Sequence, residues 1–199
     1  MAWLSNKDLK AMLANSTRDA RYQFIAEHFG LICPHLNLLN FEGVFASDML
    51  PPHKHGARML VVNSDPHFKA GQHWLAFYQS KDNVCEIFDS MGRPIHCYPD
   101  INNWLRDVIK PPCSINNYRI QGPNGLCGAY CYYYLTRRPH TSDRETVFFP
   151  EHGPPFTAIT HQDEPLLSEA DIASYLRIND DRVYHYFQND LDFMTRVMK

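Results

Sequence analysis

The chain has 199 residues, with 19 Lys+Arg against 22 Asp+Glu and a formal charge of −3. Hydrophobic residues make up 44% and aromatic residues 13%, which excludes a solvated coil and supplies one sizeable core. The mildly acidic balance argues against a strong whole-protein field for nucleic acid, and no apolar run reaches the length of a membrane span.

Ser5 is a candidate N-cap, with Asp8 three positions on and Leu9, Met12 and Leu13 as the apolar face of a first helix. A second helical stretch is predicted over 18–29, ending at Gly30, and Cys33-Pro34 opens a loop. Residues 41–50 mix apolar and turn residues without a clear period, and residues 51–56 read as a loop. Three strands are predicted at 58–63, 73–78 and 84–89, the last two joined by a polar turn into a hairpin. With the turn centred on Lys81, Tyr78 faces Val84, Leu75 faces Ile87 and His73 faces Asp89. Opposed residues share a face, with β-carbons about 4.5–5.5 Å apart, so this register sets an imidazole beside a carboxylate. A short helix is predicted over 101–109, stopped by Pro111-Pro112, and a strand over 115–120. After the loop 121–125, an apolar helix runs from Cys127 to about Arg138. Residues 139–167 read as a long connection, followed by two helices at 168–176 and about 180–197. The expected fold class is α+β: a central, mostly antiparallel sheet of about five strands flanked by helices. Residues 1–199 are expected to form one domain, with 139–199 as a C-terminal extension.

Six cysteines (Cys33, Cys85, Cys97, Cys113, Cys127 and Cys131) are far too sparse for a disulfide scaffold. The N-terminal segment lacks an apolar stretch of signal-peptide length. Free thiols in a reducing compartment are expected, one of them kept for its reactivity. Cys127 is the candidate, because a glycine-containing loop meets a helix start there. Unpaired N–H groups and the positive end of the helix dipole favour a thiolate at that point. Thiol catalysis also needs an imidazole to move the proton, and His73 is the candidate. Asp89 would hold its tautomer. The Cys127 N–H and the Gln121 amide are candidate oxyanion donors. Trp74 is expected to pack beside the site and line a substrate cleft. Cys131 shares a helix face with Cys127 but lacks a second ligand pair, and His53 and His55 read as a solvated loop, so no metal is expected. The run Tyr132–Tyr134 reads as core, and Asp48 as a loop or cap residue.

The ordered set Gly71-Gln72-His73-Trp74, Phe88-Asp89-Ser90-Met91-Gly92, Gln121-Gly122-Pro123-Asn124 and Cys127-Gly128-Ala129-Tyr130-Cys131 resembles the adenovirus-type cysteine proteases. These are related to the ubiquitin-like-protein proteases. Ser5…Asp8-Leu9-Lys10-Ala11 and Val61-Val62-Asn63 extend the likeness from near residue 5 to about 138. The resemblance implies a cysteine endopeptidase with His73, Asp89 and Cys127 as triad and Gln121 in the oxyanion hole. It implies protein substrates, namely viral precursors cut near glycine, and a monomer in the host nucleus or cytoplasm and in the virion. It also implies activation by a viral peptide, with Cys113 in roughly the region of the peptide-linking thiol, although no cofactor is required for the chemistry. DNA is the family's second activator, and the −3 charge argues against it here. The acid is Asp89, where adenovirus enzymes usually carry Glu. The Gln-to-Cys loop is one residue shorter, and Leu126 stands where the deconjugating enzymes usually carry Asp. The last difference tilts the reading toward precursor processing. A deconjugating protease for ubiquitin-like modifiers and an acyltransferase with the same residue order stay open as alternatives.

Overall fold

The computed structural model describes residues 40–69, 71–110, 112–149 and 155–197. The two helices expected before residue 30, and Cys33, lie outside the described residues. Five short strands pair side by side in chain order: β1 (Phe41–Phe45), β2 (Arg58–Asn63), β3 (Trp74–Gln79), β4 (Cys85–Phe88) and β5 (Cys113–Ile115). The sheet is mixed. Its central pairings, β2–β3 and β3–β4, are antiparallel, while β1–β2 and β4–β5 are parallel. The last pairing needs a crossover, and α1 (Pro99–Trp104) with the wider turn Leu105–Ile109 supplies it.

Side-chain alternation sorts the sheet into two cores. Met59, Val61, Ala76, Tyr78 and Phe88 pack on α2 (Cys127–Arg137). Leu60, Val62, Leu75, Phe77 and Ile87 pack on Ile101, Trp104 and Ile109 from the α1 crossover. Helices therefore cover both faces, which is why β2 and β3 read as nearly continuous apolar runs. α2 carries the tyrosine run into the first core, where Phe88, Tyr134 and Phe148 stack.

The hairpin register differs from the expected one. Phe77 faces Ile87 and Tyr78 faces Glu86, so each partner lies two residues further on. The turn explains the shift. Ser80 N–H bonds to Val84 O at 2.9 Å, closing a three-residue loop centred on Asp82 rather than Lys81. Asn83 takes the left-handed conformation at φ 61°, and Ser80 Oγ accepts the Asp82 and Val84 N–H groups. A two-residue shift preserves the side-chain face, so His73 and Asp89 stay together as diagonal rather than direct neighbours.

Three other expectations change. The strand expected over 115–120 is split into β5 and β6 (Tyr118–Arg119), and β6 pairs with β7 (Ile159–Thr160). Asn116 makes the break, since its side chain bonds the Asp89 and Tyr118 backbones instead of continuing a ladder. The long connection holds α3 (Arg144–Phe148), capped by Asp143 on the Thr146 N–H at 2.8 Å, as well as β7. The two final helices are one, α4 (Glu169–Val197). Ser168 and Asp171 cap its start reciprocally. The gap expected at 177–179 stays helical, and within it Asn179 is buried and bonds Ile120 O and both backbone groups of Thr157. Sequence reasoning also missed β1, because Gly43 and an irregular register interrupt any alternation.

Candidate active site

Asp89 follows directly on β4, in a turn closed by Gly92 N–H on Asp89 O at 2.9 Å. Only glycine fits at position 92. Its φ is +65°, and a Cβ would stand 2.3 Å from Tyr118 O. The Asp89 carboxylate is fully buried and saturated. Oδ1 meets His73 Nε2 at 2.6 Å and the Met91 N–H at 2.8 Å. Oδ2 accepts the Tyr98 hydroxyl at 2.6 Å and the Arg93 N–H at 3.1 Å. Burial alone would raise its pKa; the hydrogen bond and charge of His73, with Tyr98 and Met91, reverse that and hold the carboxyl below its ordinary range.

His73 is buried just before β3, where Ser64 N–H fixes its carbonyl at 2.9 Å. Asp89 occupies Nε2, which orients the ring, and Cys127 lies near enough to favour the charged imidazole. Burial opposes the charged ring, but the contacts with Asp89 and Cys127 outweigh it and push the pKa from 6.5 to about 9. Tyr98 stacks on the ring at 6.4 Å between centroids and 18° between planes. With that pKa His73 carries its second proton at neutral pH, paired with the Asp89 carboxylate.

Cys127 is the first residue of α2 and is buried. Leu126 supplies no capping side-chain bond, so the first-turn amides are not occupied by a cap. Trp74 lies over this helix start. A Cβ on Gly128 would be 3.9 Å from Trp74 Cδ1.

Gln121 is buried on the preceding loop and locked to the Asp89 turn. Ser90 O accepts the Ile120 and Gln121 N–H groups at 2.9 and 3.1 Å, and the Ser90 hydroxyl donates to Gln121 Oε1 at 2.6 Å. Gln121 Nε2 donates to Asn124 O at 2.7 Å and to Asn124 Oδ1 at 3.2 Å. In this state both amide hydrogens are therefore spent within the loop. A cleft of about 370 Å³ opens between Pro123, Asn124 and Leu126 on one side and Ala173, Arg177 and Tyr184 of α4 on the other.

Cys113 stands apart from these residues, on β5 opposite Cys85. Burial, then Cys85 and Glu86, push its thiol above the ordinary cysteine range. The five described cysteines are free, and Cys97 is the exposed one. Among the described residues no cluster of three or more His, Cys, Asp or Glu could hold a metal ion, and no helix is long and apolar enough to cross a membrane. His53 packs edge-on against His55, and Asp48 pairs with His67. Tyr98, Asn116 and Ser90 were missed from sequence. A tyrosine and an asparagine in loops carry no periodic signal, and only the fold brings them to Asp89. No protein-family model and no curated protein matches the chain.

Proposed function

We propose that the protein is a cysteine endopeptidase. The observation that carries this reading is the buried Asp89–His73 hydrogen bond, with Cys127 at the N-terminus of α2 among the groups that favour the charged imidazole. The Cys127 thiolate attacks the substrate carbonyl and forms the S–C bond. The Cys127 N–H stabilises the oxyanion, joined by Gln121 once its amide turns from Asn124 toward the substrate. Imidazolium His73 gives its proton to the leaving amine as the C–N bond breaks. Neutral His73 then takes a proton from water, which hydrolyses the thioester and regenerates the pair. Asp89 stabilises the charged ring throughout and is not itself protonated. The reaction needs no metal or organic cofactor. Protein precursors cut near glycine are the proposed substrates, supported by the four ordered motifs.

Cys127→Ala tests the reading. Cleavage of a quenched glycine-containing peptide library, and of candidate precursor proteins followed by sequencing of new termini, is expected to vanish with circular dichroism unchanged. Persisting cleavage would remove Cys127 as nucleophile.

A further inference from the structure

Asp180 is a buried carboxylate that the proposed chemistry does not use. It sits midway along α4, far in sequence from the loop it touches. Gly122 N–H lies 3.2 Å from each of its oxygens, and the Tyr130 hydroxyl lies 2.8 Å from Oδ1. The approach is close enough to dictate the loop residue, since a Cβ on Gly122 would stand 2.3 Å from Asp180 Oδ2. The neighbouring Asn179 donates to Ile120 O at 2.9 Å, and Tyr130 reaches the same carbonyl at 2.8 Å.

These contacts bracket Gln121. The residue before it is held by Asn179 and Tyr130, and the residue after it by Asp180. The Asp89 turn grips the opposite side through Ser90. A loop containing Gly122, Pro123 and Gly125 has no regular ladder to fix it, so these contacts decide where its amides point. Burying a carboxylate costs free energy, and burial pushes the Asp180 carboxyl up despite the Gly122 N–H and the Tyr130 hydroxyl, whose one proton Asp180 shares with Ile120 O. A group kept at that cost, on backbone next to the candidate oxyanion donor, has a task there.

We infer that Asp180 is a positioning residue, and that α4 is a working part of the site that sets the 120–124 loop for oxyanion binding. The inference rests on the endopeptidase reading. It assigns the C-terminal extension a role in rate rather than in stability alone.

The test compares two reactions of Cys127 in the full chain. Acylation by p-nitrophenyl acetate builds an oxyanion as the thiolate forms a thioester and p-nitrophenolate leaves. Alkylation by iodoacetamide displaces iodide and builds none. Asp180→Ala is expected to slow acylation about 10²-fold, the scale of one lost oxyanion donor. Alkylation should stay within about twofold, because it depends on the thiolate and His73. Asp180→Asn keeps one acceptor oxygen and should fall between. Gly122→Ala should slow acylation on its own yet add little in the Asp180→Ala background, where the clash is gone. Equal losses in both reactions, no loss in either, or additive effects of the two substitutions would overturn the inference. If Asp180→Ala does not fold, Asp180→Asn and Gly122→Ala carry the same comparison. A wild-type chain that alkylates at Cys127 but forms no thioester would instead remove the endopeptidase reading, and this inference with it.

Discussion

The two ends of α2 carry two buried acid–base pairs built from the same strand. At the N-terminus Asp89 meets His73 beside Cys127, and at the C-terminus Glu86 meets Arg138. Both obey the helix dipole, with a thiol at the positive end and a guanidinium at the negative end. Both carboxylates are saturated. Glu86 accepts Arg138 Nε at 2.6 Å, Arg138 Nη2 at 2.8 Å and the Tyr134 hydroxyl at 2.6 Å. The difference lies in the cations. Arg138 cannot lose its proton, and its remaining contacts are to Thr141 O and the Tyr78 ring. His73 can lose its proton, and Asp89 takes only one of its two ring nitrogens. Similar burial and charge therefore make a structural clamp at one end and a site able to move protons at the other.

Four measurements sharpen or break that contrast. The largest expected effect is from Asp89→Asn. Turnover should fall by roughly 10³–10⁴-fold, as when the acid of a triad is neutralised. The His73 titration, followed by NMR, should move from about 9 toward 6.5, and the alkaline limb of the rate profile should move down with it. An unmoved titration would separate Asp89 from the pair. Next is Arg138→Met, which strands Glu86 and should cost about 3–5 kcal/mol in urea unfolding. Cys127 acylation per folded molecule should not change; a parallel loss would mean that the two ends are coupled. Third, Glu86→Leu with Arg138→Met and Tyr134→Phe should recover most of that cost, because an apolar replacement of a whole buried network is often near neutral, within about 1–2 kcal/mol. A triple variant as unstable as the single one would contradict the clamp reading.

The smallest effect is in the pH dependence of stability. The folded pKa of His73 lies above its ordinary 6.5, so its contribution is fully present below pH 6.5 and is lost as pH rises through about 9. Glu86 and Asp89 are depressed, so their contributions are present above the ordinary carboxylate range and are lost in acid. Of these four groups only His73 shapes the alkaline side through pH 9. Denaturation midpoints of wild type and His73→Ala between pH 6.5 and 9 check this, and a wild-type curve as flat as the variant's would contradict the raised pKa.

Strands with continuous apolar runs, such as 58–63, and the helix from Cys127 were legible in the chain because local pattern and burial agree there. The residues of the candidate site were picked out by spacing and residue type, since His73 and Asp89 flank one hairpin and Cys127 opens one helix. The exact pairing was not. The Ser80 and Asn83 turn moved the register by two residues, and only the unchanged parity kept His73 and Asp89 on one face. Tyr98 and Asn116 came to Asp89 through loops, where no periodicity marks a position, and Ser90 beside it met Gln121 only in the fold. Sequence alone determined which residue types were present and which local runs bury them. The tertiary structure decided that Asn179 and Asp180 continue a helix rather than end one. Only contact with residues 120–122 and 157 gives those buried polar groups the partners that a helix interior lacks.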